Sequence, residues 1–312
     1  MSALSPTTQI LASARRQGLL LAGLGAVAFS GKAVIVKLAY RYGVDAVTLI
    51  MYRMLFALPL FLLLAWWAGR GRPKLTWRDA RTVLGLGFCG YYLSSFLDFL
   101  GLLYISASLE RLILYLNPTL VLALSALLFH KKVTRAQILA LAVSYCGVLC
   151  VFGREMSLRG ANVPLGATLV FASAVSYAVY LSYSGEEVKR LGALRLTGLA
   201  TSVACLICIA QFLLLRPISS MAVPAAVLWL SVLNATLCTF APVVMVMMAI
   251  ERIGASLTAQ AGTIGPLSTI LMAVIFLGEA FTAWVAAGTA LVLAGIWLLT
   301  KVQPRAVGDV SP

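Results

Sequence analysis

The sequence of 312 residues is poor in charge and poorest in acid: ten Asp and Glu stand against 24 Lys and Arg, and the four types make up 11% of the chain. A soluble domain carries about 25%. The single histidine, His130, has no cluster of cysteines or carboxylates around it in the sequence, so no metal centre is expected. The acids are scattered, and none lies three or four residues from another. That spacing argues against the magnesium-binding carboxylates of a prenyl- or phosphoryl-transfer enzyme. The chain has no Gly-x-x-x-x-Gly-Lys-Ser/Thr loop to cradle ATP. No repeated filter loop or charge ring marks a channel. The six cysteines fall inside apolar runs, where they read as small buried hydrophobes; Cys205 and Cys208 have redox spacing but sit mid-run. Neither an enzyme nor a cofactor is expected.

What the chain has is apolar length. Hydrophobic residues make up 62% of it, and the mean hydropathy is +0.99. Runs of about 18 or more apolar residues read as membrane-spanning helices. Five fall in the first half: Gly18–Val36, Met54–Ala68, Val83–Leu97, Leu112–Phe129 and Ile138–Phe152. Five more follow: Pro164–Tyr183, Leu196–Leu215, Val223–Ile250, Leu257–Leu277 and Ala283–Leu299. The expectation is an all-α integral membrane protein with ten transmembrane helices, short loops and no appended soluble domain. Arg15-Arg16 before an apolar run resembles a signal peptide, but the run is long and ends at no small-residue cleavage site, so it reads as an uncleaved first helix.

The net charge of +14 does not point to nucleic acid, because the basic residues cluster in alternate loops, the intervening ones being poorer, with Arg41, Arg154, Arg159 and Arg216. They cluster at Arg70–Arg81, at Lys131, Lys132 and Arg135, and at Lys189, Arg190 and Arg195, on the side shared with Arg15, Arg16, Lys301 and Arg305. The positive-inside rule then puts both termini in the cytoplasm.

The stretch Ile105-Ser-Ala-Ser-Leu109 recurs as Ile253-Gly-Ala-Ser-Leu257, with Pro118 and Pro266 at matching positions. The register, an offset of 148 residues, holds without a gap to Gly147 and Gly295. The chain therefore divides into a tail (1–16), a first five-helix repeat (17–153), a second repeat (163–301) and a second tail (302–312). Five is odd, so the second copy enters the membrane from the opposite side, and the repeats are inverted.

Charged and polar groups inside apolar runs are the candidate site residues, since each is costly in lipid and tends to face a cavity. Lys32 can meet a substrate carboxylate or sit in a structural ion pair, while Lys37 can snorkel to the interface. Arg53 reads as structural. Tyr91, Ser94 or Ser95, and Asp98 share one helical face; Asp98 near the span end either caps or meets Lys37. Glu110 and Arg111 are adjacent and near an outer end, which favours a surface role, although Glu110 and Asp98 are also the candidates for carrying a proton. Tyr115 shares a face with Arg111. Pro118 frees the carbonyl of Leu114, and with Pro266 it reads as a hinge. Ser173, Tyr177, Tyr180 and Ser184 form a second polar and aromatic face. Trp229, Asn234 and Pro242, then Thr258, Gln260 and Thr263, complete the set.

The two segments from Ile105 to Gly147 and from Ile253 to Gly295 resemble the EamA family of the drug/metabolite transporter superfamily. Phe29-Ser-Gly-Lys is similar to that family's opening helix, with phenylalanine where tryptophan is usual. Lys131 stands where Glu279 stands in the second copy, a departure from the acid often found there. The resemblance is greatest to amino-acid and metabolite exporters, including the YddG-type exporters of aromatic amino acids. It implies a monomeric carrier in a bacterial inner membrane, with a cavity lined by spans one, three, four, six, eight and nine. The expected site is Lys32, Tyr91, Ser95, Tyr115, Tyr177 and Asn234, with amino acids as cargo and alternating access as mechanism. A carrier of nucleosides, sugars or drugs is the alternative, ahead of a membrane transferase or a channel.

Overall fold

The computed structural model describes residues 6–129, 133–159, 161–262 and 264–302. His130, Lys131, Lys132, Thr263 and Arg305 lie outside them. The helices are α1 (Pro6–Tyr40), α2 (Ala46–Gly69), α3 (Trp77–Gly101), α4 (Ala107–Leu128), α5 (Arg135–Arg159), α6 (Val163–Leu191), α7 (Ala193–Leu215), α8 (Ala225–Ile250), α9 (Ile264–Leu277) and α10 (Ala283–Val302). Among the described residues α1 to α8 contain eight stretches long and apolar enough to cross a membrane, while Ile264–Leu277 and Ala283–Leu299 are shorter apolar helices.

Local chemistry starts these helices. Asp45 caps α2, its Oδ1 accepting from the Val47 and Thr48 amides at 3.0 and 3.2 Å. Burial pushes its carboxyl up, but the bonds from Thr48 and Val47 and the charge of Arg216 outweigh this and hold it below the usual value. Thr76 with Asp79, and Thr134 with Gln137, form reciprocal capping boxes at the starts of α3 and α5. The start of α4 takes two carboxylates. Glu155 accepts from the Ser106 amide and hydroxyl at 2.5 and 2.6 Å. Glu279 accepts from the amides of Ala107 and Ser108 and from the Ser108 hydroxyl. Free amides and the helix dipole both favour negative charge there.

Packing pairs α2 with α7, α5 with α10, α1 with α8 and α3 with α6. Outward positions stay apolar, as at Leu63, Leu214 and Trp229, which suits contact with lipid. The loops gather at two faces. At the basic face Arg72 reaches the Leu191 carbonyl and Arg195 the Pro73 carbonyl. At the opposite face Arg216 pairs with Asp45, and Tyr52 donates to the Met221 carbonyl. Against α1, Cys238 lies at Gly31, Val246 at Gly25 and Ile253 at Gly18, and Gly265 is back beside Ser30. The chain thus reverses between Ile253 and Gly265, although helical bonding continues to Ala261.

Within α3 and α8 the helix widens into π-turns at Phe88–Leu93 and Thr236–Phe240. Their first residues are 148 apart, the offset of the sequence repeat. Such bulges often mark functional positions.

Glycine lets α5 and α10 approach closely. A Cβ on Gly147 would lie 2.6 Å from the Gly288 carbonyl oxygen, whereas one on Gly153, also on α5, would meet nothing within 4 Å. Gly147→Ala is therefore expected to lower stability by about 1–3 kcal/mol. Gly153→Ala should be neutral or raise stability by up to about 1 kcal/mol through helix propensity. Thermal unfolding in detergent measures both, and equal effects would rule out the close contact.

Candidate functional site

A central cavity of about 370 Å³ lies among the helices, in the size range of small-molecule sites. Its wall includes residues of α1, α3, α4, α6, α8 and α9, together with Arg53 and Phe61 of α2 and Thr197 of α7. One end holds charge. The Lys32 ammonium is 2.6 Å from Asp98 Oδ2 and 3.5 Å from Glu110 Oε1. Arg111 donates to the Phe29 carbonyl at 3.2 Å. Two cations approach the Phe29 ring, Lys32 at 5.6 Å and Arg111 at 5.4 Å from its centroid. Arg53 donates to Thr239 Oγ1 at 3.1 Å and lies 5.3 Å from the centroid of Phe99. Thr239 in turn donates to the Asn234 carbonyl, five residues earlier across the α8 π-turn. All five ionisable residues are at most 6% exposed.

The remainder of the wall combines aromatic and aliphatic side chains with hydroxyl groups such as those of Ser94, Ser95, Ser173 and Thr197. Tyr91 and Tyr180 hydroxyls are 3.1 Å apart, and the Tyr177 ring stacks on Tyr180 at 5.5 Å. Val243, Val246, Met247 and Leu114 add apolar surface. Side chains of α6 hold the widened part of α3: Ser176 donates to the Cys89 carbonyl and Ser173 to that of Ser94. From the charged end the wall runs toward the basic face through Gly25, Met247 and Thr197.

Lys32, Tyr91, Ser95, Asp98, Tyr115 and Tyr177 all line this cavity. Glu110 does not; it is fully buried behind Lys32. Asn234 is also off the wall: it is buried, and its Oδ1 has no hydrogen-bond partner. Trp229 points outward, 72% exposed. Two expectations are corrected. Asp98 meets Lys32, because Lys37 is one helical turn nearer the end of α1 and donates to the Leu102 carbonyl. Glu110 and Arg111 are not surface groups, since α4 starts below the opposite face and its first turns, Ala107 to Ile113, are buried on every side. Arg53, read as structural, bonds Thr239 of α8 and is also on the cavity wall. The cost of charge at membrane depth was the available pointer to both arginines.

Neither proline is on the wall, but each frees a carbonyl near it. The Leu114 carbonyl accepts from Asn117 Nδ2 at 2.7 Å. The Gly262 carbonyl, four residues before Pro266, accepts from the Tyr115 hydroxyl at 2.8 Å. Leu114 and Gly262 are again 148 residues apart.

Comparison with known proteins adds the family. The model of the EamA-like transporter family matches twice, over residues 16–153 and 164–301. The uncharacterized transporter YcbK of Bacillus subtilis (strain 168) is 32% identical over 266 residues, 82% of this chain and 84% of its own. The uncharacterized transporter YetK of the same organism is 22% identical over 81% of this chain and 78% of its own. A crystal structure of another protein superposes with a TM-score of 0.62 over 91% of this chain and 96% of its own, at 19% identity, which shows a common fold. With both halves matched by one family model and a relative aligned over most of its length, the chain belongs to the EamA-like transporter family.

Proposed function

We propose that this membrane transporter is a secondary exporter of amino acids, aromatic and other neutral ones, acting in a bacterial inner membrane with its basic face and both termini in the cytoplasm. The observation that carries the reading is the two-ended cavity: a buried charged cluster at one end, and tyrosines and aliphatic side chains interspersed with hydroxyls along the rest. An amino acid has the same division. Ten spans in two inverted halves provide the mechanism. Support for the repeat comes from the π-turns and freed carbonyls spaced at its offset, and support for inversion from the packing of α2 on α7 and α5 on α10, pairs that an axis in the membrane plane would exchange. Rocking about Pro118 and Pro266 would move the opening from one face to the other. Glu155 and Glu279 hold the start of α4 at the opposite face, and the cavity wall extends toward the basic face, as in an inward-facing carrier.

In proteoliposomes of the purified protein, labelled phenylalanine, tyrosine or leucine should show saturable counterflow. Absence of flux for every amino acid, with flux of a nucleoside or sugar, would overturn the cargo assignment.

Removing the charge-assisted bonds of Glu279 should weaken closure by about 1.5–3 kcal/mol. That shifts the population toward opening at the opposite face roughly ten- to hundredfold. Phe29→Cys, in a background without the native cysteines, should react with an impermeant maleimide from the basic face alone. Adding Glu279→Ala should allow reaction from both; unchanged sidedness rejects the closure role.

Two carboxylates on one ammonium also make a site that can hold a proton, so Glu110 and Asp98 are proposed as the coupling pair. Glu110→Gln should abolish the response of transport to an imposed pH gradient while exchange at equal pH continues. A wild-type response to the gradient in that variant would remove Glu110 from coupling.

A further inference from the structure

The charges at the cavity end do not balance. With every group ionised, Lys32, Arg53 and Arg111 supply three positive charges, and Asp98 and Glu110 supply two negative ones. One positive charge is left in a place where charge is costly. The geometry shows where it is. Lys32 is flanked by both carboxylates, so an incoming anion there would meet two like charges. Neither guanidinium has a carboxylate within ion-pair distance among the described residues. Arg111 Nε and Arg53 Nη1 are buried without a hydrogen-bond partner, while both side chains line the cavity. Each arginine lies close to an aromatic ring, Arg111 to Phe29 and Arg53 to Phe99. Cation–π contact of this kind steadies a guanidinium without occupying its in-plane N–H groups. Those N–H groups form the fork that matches a carboxylate, and a buried donor left empty costs about 1–3 kcal/mol until it is filled.

We propose that Arg53 and Arg111 form the carboxylate site of this transporter, so that the cargo must carry a single-charge anionic group and Lys32 does not bind it. One excess positive charge suits a monoanion; a phosphate dianion would leave the cluster negative. Asp98 Oδ1, buried and unpartnered beside Lys32, offers an acceptor for an ammonium on the same cargo. The tyrosine and valine wall takes the apolar remainder. This assignment deepens the amino-acid reading and rests on it only for the ammonium.

Three probes of one shape test it on the unmodified protein: phenylalanine, 3-phenylpropionate (no amine) and phenethylamine (no carboxylate). Binding is read by the intrinsic fluorescence of the purified full chain and by competition in proteoliposomes. Phenylalanine and phenylpropionate are expected to bind, with phenethylamine at least tenfold weaker. Binding of phenylpropionate without phenylalanine would refute the amino-acid reading and leave the carboxylate site standing. Phenethylamine binding as well as phenylalanine would overturn the carboxylate site itself. As a second arm, Arg111→Lys keeps the charge and loses the fork, and should weaken phenylpropionate at least tenfold while leaving phenethylamine unchanged. Equal loss for both probes, or no loss for either, would also overturn the proposal.

Discussion

The ion pair between Lys32 and Asp98 is the contact on which the centre of the molecule depends. It ties α1 to α3, and through Glu110 it brings in α4. Lipid offers these groups no water, so none of them is stable at this depth alone. Breaking one partner of a buried pair leaves a bare charge, which is far worse than never having had the pair. The three helices are therefore held in one relative register by a requirement rather than by a preference. Phe29 and Arg111 pack around that register, and the cavity is the space left beside it.

The regular part of this architecture could be read from the amino acids. Apolar length marked most of the helices, and Ile105–Leu109 against Ile253–Leu257 set an offset that reappears in the π-turns and in the carbonyls of Leu114 and Gly262. Most of the candidate wall residues were also legible, because a tyrosine or lysine in an apolar run has few places to go. What could not be read was enclosure. Glu110-Arg111 looks like a surface pair because adjacent residues point about 100° apart on a helix, so one of them ought to face outward. Both are buried only because other helices surround α4, a fact of packing with no local trace. The π-turn at Phe88–Leu93 was equally hidden. It changes the rotation between Tyr91 and Asp98, so that Ser94 meets Ser173 and Ser94, Ser95 and Asp98 all reach the wall. Asn234 is off the wall: its backbone carbonyl accepts from the Thr239 hydroxyl, and its side chain is not part of the lining.

The two prolines show how a repeat can be alike in mechanics and unlike in contacts. Each removes the same helical bond, yet the carbonyl released in α4 is satisfied locally by Asn117, and the one before α9 by Tyr115 from the other half. A kink whose loose end is held within its own helix is free to flex alone. A kink whose loose end is held by a distant tyrosine can move only if that tyrosine moves too.

The carboxylates at the start of α4 have a consequence for how such a protein can change over generations. In the first copy a lysine, Lys131, occupies the position corresponding to Glu279 of the second. Two halves that began as duplicates thus differ at a residue that lies outside the central cavity. Substitutions that alter which face is favoured at rest and substitutions that alter what is recognised then fall on separate residues. Selection can tune one without rebuilding the other, and a lineage can keep its cargo while altering its bias, or keep its bias while exchanging its cargo.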